Sequence, residues 1–467
     1  MESLGLYILT FNCARNPIEV DTFASHLFDA LSTSPDNSSQ QQESGIAPEL
    51  VVLSLQEMAP IAYAFLGGSF LASYFDSFRR AVELAVAERW ADTVQYVEMA
   101  TENCGMTGIM VFARSDIGSR ISGVESAEVG LGFLQMGNKG AMGIRLGYDA
   151  AGNGDGIFDL TFVAAHLAPR EDAFERRNRD WRHIIERLVF YPTATAGITT
   201  GSGSDSDRNE EAGDEQQTDS MALLEDWKAG RSRRCSGIFL TSYLFIAGDL
   251  NYRTSNTLPG KDDYGLFPQP TPDIHSPRHY SQLLKNDQLR RESGVHRTLH
   301  GMSEAPIAFP PTYKYSSEAQ HLAAQGTEPR EWRWANHRWP SWCDRILYLD
   351  VPVWMDSVDC VRPQIYDALP LFPTSDHRAV ALSVSVPLKS VFIPEAMDEK
   401  DDVRLAPPFP LDSNYCAHYW RAAVRAMEII VGSLAFLGLT REGNRLVVAV
   451  AIGVFSGWLT FRSVFGW

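Results

Sequence analysis

Residues 243–253 read YLFIAGDLNYR, and the reading of this stretch decides the fold. A short continuous apolar run closed by Gly248 and Asp249 is a strand buried on both faces, not a helix. Its polar followers, Asp249 and Asn251, then lie at a strand end on the rim of a sheet. The same grammar recurs at residues 4–9, 50–55, 109–112, 141–146, 158–165, 345–349 and 379–386, each bounded by Gly, Pro, Asn or Asp. Asn12 follows the first of these, Gln56 and Glu57 the second, and His166 the run 158–165. The order then reverses, because Asp344 precedes one strand, and Asp376 and His377 precede the last. In antiparallel pairing the end of one strand and the start of its neighbour share a rim, so these side chains can converge on one cleft. Amphipathic helical patterns at 69–90 and 171–189 lie between strands, which points to an α/β or α+β sandwich.

Composition narrows the function. The chain has 467 residues, 45% hydrophobic and 21% charged, which suits a globular protein and excludes a disordered one. A formal charge of −17 is repelled by nucleic-acid phosphates, so no nucleic-acid partner is expected. The same charge opposes adsorption to anionic lipid, so membrane attachment must come from apolar burial. The six cysteines form no C-x-x-C pair and are too sparse for a disulfide scaffold, which reads as reduced thiols in a cytosolic setting. The start of the chain lacks the basic segment of a signal peptide and reads as a strand. Residues 32–45 read as a flexible loop and 193–219 as a disordered insertion. There is no internal repeat, and the Pro- and charge-rich stretch 394–410 reads as a linker.

The tail differs in kind. Residues 446–461, LVVAVAIGVFSGWLTF, carry no charge. Continued to Trp467 as a helix they reach about 33 Å, enough for a hydrocarbon core of about 30 Å. Arg462 can snorkel, and Trp458 and Trp467 suit an interface. The earlier run 429–440 is short and reads as interfacial or re-entrant. A tail anchor is expected, with the rest of the chain and Arg421, Arg425, Arg441 and Arg445 on the cytosolic side. A two-helix hairpin and a helix pair buried in the domain are the competing readings.

Glu57 and Asn12 offer hard oxygen ligands of the kind that bind Mg²⁺ together with water and substrate phosphate. The two histidines and further carboxylates supply proton handling and charge stabilisation. Singly, such an Asp or Asn is commonly a turn former, and a lone His a packed or surface residue. The local strings carry more weight. Residues 246–253 (IAGDLNYR), 340–347 (PSWCDRIL) and 374–380 (TSDHRAV) together resemble the signature of inositol polyphosphate 5-phosphatases, a branch of the DNase I-like superfamily. Supporting strings are Thr10-Phe11-Asn12, Leu55-Gln56-Glu57, Asn138-Lys139-Gly140, Ala165-His166-Leu167, Glu175-Arg176-Arg177-Asn178 and the run 309–314 (FPPTYK). Ala379 departs from the usual Pro and alters only a turn. The resemblance runs from Leu4 to about Val386.

That resemblance implies a DNase I-like four-layer sandwich, with two packed, mostly antiparallel sheets flanked by helices and a C-terminal membrane helix appended. The expected organisation is a catalytic domain at 1–392, a linker at 393–424 and an anchor at 425–467 that spans from about 446. Glu57, with Asn12, would bind Mg²⁺. Asp249 would orient or deprotonate the attacking water, and Asn251 would hold that water or a phosphate oxygen. Asp376 and His377 would bracket the scissile phosphate, Asp344 would fix the His377 tautomer, and His166 would be a second donor. Tyr313 and Lys314 would meet the ring 4-phosphate, Lys139 with Asn138 the 1-phosphate, and Arg378 would bind substrate or brace the site. Arg253 and Arg345 would brace it. The expected reaction removes the 5-phosphate of phosphatidylinositol 4,5-bisphosphate by a monomeric enzyme, without a phosphoenzyme. The layout is similar to that of fungal tail-anchored members from the endoplasmic reticulum membrane. The alternatives are another DNase I-like phosphodiesterase such as a neutral sphingomyelinase or a nuclease, an inactive phosphoinositide-binding tether, or an enzyme of soluble inositol polyphosphates.

Overall fold

The computed structural model describes residues 3–31, 45–91, 93–152, 156–191, 236–239, 241–326, 331–352, 354–355, 360–391, 402–412 and 417–465. Among these lie twelve strands: β1 (Ser3–Asn12), β2 (Leu50–Gln56), β3 (Tyr96–Cys104), β4 (Thr107–Arg114), β5 (Ile121–Gly130), β6 (Gly140–Asp149), β7 (Ile157–His166), β8 (Tyr243–Asp249), β9 (Met302–Ser303), β10 (Asp344–Leu349), β11 (Arg362–Leu371) and β12 (Arg378–Pro387). They form two six-stranded sheets, ordered β11-β12-β1-β2-β4-β3 and β5-β6-β7-β8-β10-β9. Only β1–β2 and β7–β8 pair in parallel; every other pairing is antiparallel. Strands β2 and β8 are buried at every position, as their unbroken apolar runs require.

The helices are α1 (Val20–His26), α2 (Ile61–Leu66), α3 (Ser69–Trp90), α4 (Phe174–Arg187), α5 (Tyr280–Leu284), α6 (Gln288–Gly294), α7 (Ser317–Ala323), α8 (Ala417–Leu439) and α9 (Arg441–Phe465). Between the sheets, Ile8, Val52 and Val111 meet Ile144, Phe162 and Phe245 in the main core. Behind the first sheet, Phe23 of α1 and Phe75, Phe78 and Val82 of α3 cover Phe11 and Leu53. Behind the second, Trp181 and Ile184 of α4 cover Val163 and Leu244. The result is helix, sheet, sheet, helix: the DNase I-like sandwich.

Two of the expectations fall outside the described residues: the flexible loop at 32–45, apart from Gly45, and the insertion at 193–219. Cys13, Cys104, Cys343 and Cys360 are free thiols. The stretch 402–412, expected as linker, instead straps the second sheet. Val403 and Phe409 pack against its helix-covered face. Arg404, buried, donates to the carbonyls of Ser242 and Asp350. Proline and charge content hid this contact because it rests on two apolar residues and one arginine. Helix α8 likewise begins within the expected linker and packs on α2. The large apolar side chains of α9 from Leu446 to Phe461 are exposed.

Candidate active site

Strand direction gathers the site. Parallel β1 and β2 end together at Asn12 and Gln56, and parallel β7 and β8 end together at His166 and Asp249. Antiparallel β10 starts opposite, with Asp344 facing Asp249 across the ladder. Asp376 and His377 immediately precede β12, which runs antiparallel to β1. Beneath this rim a buried polar chain joins the sheets: Thr10 donates to Gln56, Gln56 to Ser54, and Ser54 Oγ to the carbonyl of Ala247 at 2.8 Å.

Asp249 is the hub. Its Oδ2 accepts from Asn12 Nδ2 at 2.9 Å and lies 3.2 Å from His166 Nε2, while its Oδ1 accepts from the Asn251 backbone N–H at 3.1 Å. Burial pushes its acidity down, but the hydrogen bond and charge of His166, then His377 and Lys139, outweigh burial and keep it ionised. Asn251, in the left-handed region at φ 59°, donates to the carbonyl of Leu167 and accepts from Arg253. The Arg253 guanidinium also lies 4.4 Å from the centre of the Tyr313 ring, so it braces the site, as expected.

Across from Asp249, buried Asp344 accepts from His377 Nδ1 at 2.8 Å and from Thr312 Oγ1 at 2.7 Å. Burial disfavours the His377 imidazolium, yet Asp344 above all, with Asp249 and Asp376, raises its pKa to about 9. Burial also raises Asp344 above the usual carboxylate value, against the pull of His377 and Thr312. With Nδ1 engaged and Nε2 3.9 Å from Asp376 Oδ1, His377 keeps Nε2–H free to donate. The Tyr313 ring, 4.4 Å away, fixes the imidazole plane. Asp376 pairs with Lys314; burial works against its charge, but His377 and Lys314 hold it below the ordinary range.

Glu57, at φ 45°, presents Oε1 to Lys139 Nζ at 3.2 Å and Oε2 to Arg15 Nε at 3.2 Å. Burial raises its pKa, and His166, Lys139 and Arg15 together lower it further. Lys139 Nζ also lies 2.6 Å from His166 Nε2. Lys139, expected with Asn138 to face a 1-phosphate, stands between Glu57 and His166. Burial and then Lys139 depress the pKa of His166, against the pull of Asp249 and Glu57. Asn138, half-buried, has its Oδ1 unpartnered. Arg378 is buried, and its guanidinium donates to the Tyr315 hydroxyl at 2.8 Å and the Leu369 carbonyl at 3.3 Å. Arg345 makes buried ion pairs with Asp287 and Glu304.

Sequence reading missed three contributors. Thr312 holds Asp344. Ser375 accepts from the His377 backbone N–H and donates to the Asn12 carbonyl at 2.6 Å, tying β12 to β1. Arg15 reaches Glu57 from a left-handed turn at φ 68°. The Ser two residues before His in TSDH was the one local signal.

A divalent cation fits this donor set. The Glu57 carboxylate already gathers two cationic side chains, and Asn12 Oδ1 spends one lone pair on the Ala14 N–H and keeps the other. Among the described residues no three His, Cys, Asp or Glu side chains form a chelating group.

Fold and rim chemistry thus define a class, the DNase I-like phosphoesterases. Comparison places the chain within it. The sequence profile of endonuclease/exonuclease/phosphatase family 2 matches residues 9–383. Type I inositol polyphosphate 5-phosphatase 13 of Arabidopsis thaliana is 28% identical over 356 residues, 71% of this chain and 27% of that protein. Inositol-1,4,5-trisphosphate 5-phosphatase 1 of Schizosaccharomyces pombe is 28% identical over 287 residues, 61% of this chain and 19% of its own length. The crystal structure of the inositol polyphosphate 5-phosphatase domain of SPsynaptojanin, in complex with inositol (1,4)-bisphosphate and calcium ion, superposes with a TM-score of 0.56 at 22% identity, covering 84% of this chain and 86% of that one. The chain belongs to the endonuclease/exonuclease/phosphatase family, in its inositol polyphosphate 5-phosphatase branch. It spans just over a quarter of the length of the Arabidopsis relative.

Proposed function

We propose that the chain is an Mg²⁺-dependent phosphatase that removes the 5-phosphate of phosphatidylinositol 4,5-bisphosphate, held at the endoplasmic reticulum membrane by α9. The observation that carries this is the placement of Asp249 and His377 on one rim, Asp249 bonded to Asn12 and His166 and His377 to Asp344. The first orients a water for in-line attack and accepts its hydrogen bond. Phosphoryl transfer of this kind leaves proton loss late, so a strongly acidic orienting group suffices. The Nε2–H of His377 is directed at the phosphoryl oxygens, where charge accumulates, and Asp344 keeps it protonated. His166 and Asn251 position Asp249 and the nucleophile. Lys314 and Tyr313 bind a neighbouring ring phosphate, and Lys139 adds charge at the centre. Bound at Glu57 and Asn12, the metal supplies charge neutralisation and helps the inositol oxygen depart.

Two helices, covering Trp420–Leu439 and Arg441–Ser463, are long and apolar enough to cross a bilayer. Their surroundings separate them. Helix α8 gives Arg421, Arg425 and Glu428 to the catalytic domain, which leaves only its last three turns for lipid. Helix α9 is exposed throughout its apolar run, and a bilayer is the solvent that suits it. The curated relatives are named for both soluble and lipid substrates, and the exposed α9 favours a lipid headgroup here. The test is phosphate release from short-chain phosphoinositides and from inositol 1,4,5-trisphosphate, with and without Mg²⁺, by the wild type and Asp249→Ala. Metal-dependent release confined to the 5-position and lost in the variant supports the proposal. Release that persists in Asp249→Ala, or that needs no metal, sinks it.

A further inference from the structure

The segment between β5 and β6 carries Lys139, and its backbone is strained. Leu134 and Gln135, neither of them glycine, both occupy the left-handed region, at φ 52° and 63°. Such pairs persist only where the surroundings over-determine them. Helix α8 supplies that constraint. Trp420 Nε1 donates to the Gln135 side-chain oxygen at 2.6 Å, and the Gly137 backbone N–H donates to Glu428 Oε1 at 2.7 Å. Arg425, 3.3 Å from Glu428 Oε2, turns the carboxylate toward Gly137 and caps the last carbonyls of α2, Phe65 and Leu66. Trp420, Arg425 and Glu428 lie on one side of the helix, at helical spacing.

The other side of Gly137 leads to the metal ligand. Its carbonyl accepts from the Met106 N–H at 2.8 Å, and the Met106 carbonyl accepts from the N–H of Met58, the residue after Glu57. This ladder demands glycine at 105 and 137, because a Cβ on Gly105 would lie 2.3 Å from the Gly137 carbonyl oxygen. Gly137 is therefore held between Glu428 on α8 and the strand-end turn that bears Glu57, two residues before Lys139.

We propose that Glu428 is a positioning residue for the catalytic centre. By accepting the Gly137 N–H it sets the path of the 131–139 segment, and so the placement of Lys139 between Glu57 and His166. Helix α8 then serves catalysis besides connecting the domain to α9. The catalytic part of this claim rests on the phosphatase reading above; the backbone part does not.

The experiment uses the full chain in detergent micelles and short-chain phosphatidylinositol 4,5-bisphosphate dispersed as monomers, so that tethering contributes nothing. Hydrogen exchange of the peptide covering 131–139 is followed in parallel. Glu428→Ala should lower kcat/KM roughly tenfold and speed exchange of that peptide. Glu428→Gln, whose amide oxygen still accepts from Gly137, should restore both. Ile430→Ala, on the exposed side of α8, should change neither. Wild-type rates and exchange in Glu428→Ala overturn the proposal. A Glu428→Gln variant as impaired as Glu428→Ala also overturns it, since charge toward Arg425 would then be what matters. An inactive wild type would defeat the phosphatase reading alone, leaving the exchange comparison to decide the backbone claim.

Discussion

Replacing Asp344 by Asn removes one charge and keeps the side-chain shape. The amide oxygen can still accept from both His377 Nδ1 and Thr312 Oγ1, which share one oxygen of Asp344. What disappears is the field that raises His377 to about 9 against its own burial. A rise from the ordinary 6.5 to that value corresponds to about 3 kcal/mol in favour of the imidazolium. At a pKa of about 9, about 97% of wild-type His377 would be protonated at pH 7.5, and without Asp344, its largest support, that fraction should fall, with only Asp249 and Asp376 still favouring the charge. The phosphoryl oxygens then lose their charged donor. The wild-type kcat should hold through neutrality and fall as pH rises through about 9. In Asp344→Asn that alkaline limb should move down by about two units or more, with at least about tenfold lower kcat at pH 7.5 and partial recovery at acid pH. Stability follows the same sign. A folded-state value above the unfolded one gives stabilisation that is complete below about pH 6.5 and lost as pH rises toward the folded value. Melting temperature should therefore decline between those limits in the wild type and stay nearly flat in the variant. An alkaline limb in Asp344→Asn that coincides with the wild type would refute the reasoning.

Lys314→Ala should raise KM about tenfold with a smaller change in kcat, and should weaken the dependence of KM on salt, because it removes a charged phosphate contact; an unchanged KM would remove Lys314 from the substrate site. A chain ending at Thr440 should leave the membrane pellet on cell fractionation yet hydrolyse inositol 1,4,5-trisphosphate or short-chain lipid at near wild-type rates; retention in the pellet would defeat the assignment of α9 as anchor. Arg345→Ala leaves Asp287 and Glu304 buried without their partner and should cost about 3–5 kcal/mol in denaturant unfolding. A loss below about 1 kcal/mol would place that ion pair among the inconsequential ones.

The strands that were legible are those buried on both faces. β2 and β8 announce themselves because, apart from Ser54, every position is apolar or sits at the rim. The edge strands β3, β5 and β11 escaped the first reading. Half of each faces solvent, so residues such as Glu98, Glu102, Glu125 and Gln364 break the pattern. β11 also carries Pro363 and Pro370, which an edge tolerates and an interior strand does not. At the site, Asn12, Glu57, His166, Asp249, Asp344 and His377 were legible because each follows or precedes such a central strand, and β-pairing brings strand ends to one rim. The central position of Lys139 was not, because its segment has no periodic pattern and is set by α8, nearly three hundred residues away. Sequence separation also hid Arg15 and the strap at 402–412: their partners lie dozens of residues away or more, and local sequence carries no trace of them.

The charge arrangement explains how an acidic chain handles a polyanionic headgroup. Asp249 and Asp344 face each other across the β8–β10 ladder, a placement that repels in an ordinary sheet. Each carboxylate is drawn apart by its own partners: Asn12 and His166 on one side, His377 and Thr312 on the other. Lys139, Arg15 and Lys314 then balance Glu57 and Asp376. Surface acids farther than about 8 Å are largely screened at physiological salt, so the headgroup meets this local balance rather than the net charge of −17. The rim is close to neutral when its ion pairs are closed. An arriving phosphate gains attraction only by drawing Lys314 from Asp376 and by taking the free N–H of His377. Under the proposed function, net charge then adds no attraction to encounter, and an apolar helix confining the rim to a lipid surface would supply what long-range attraction does not.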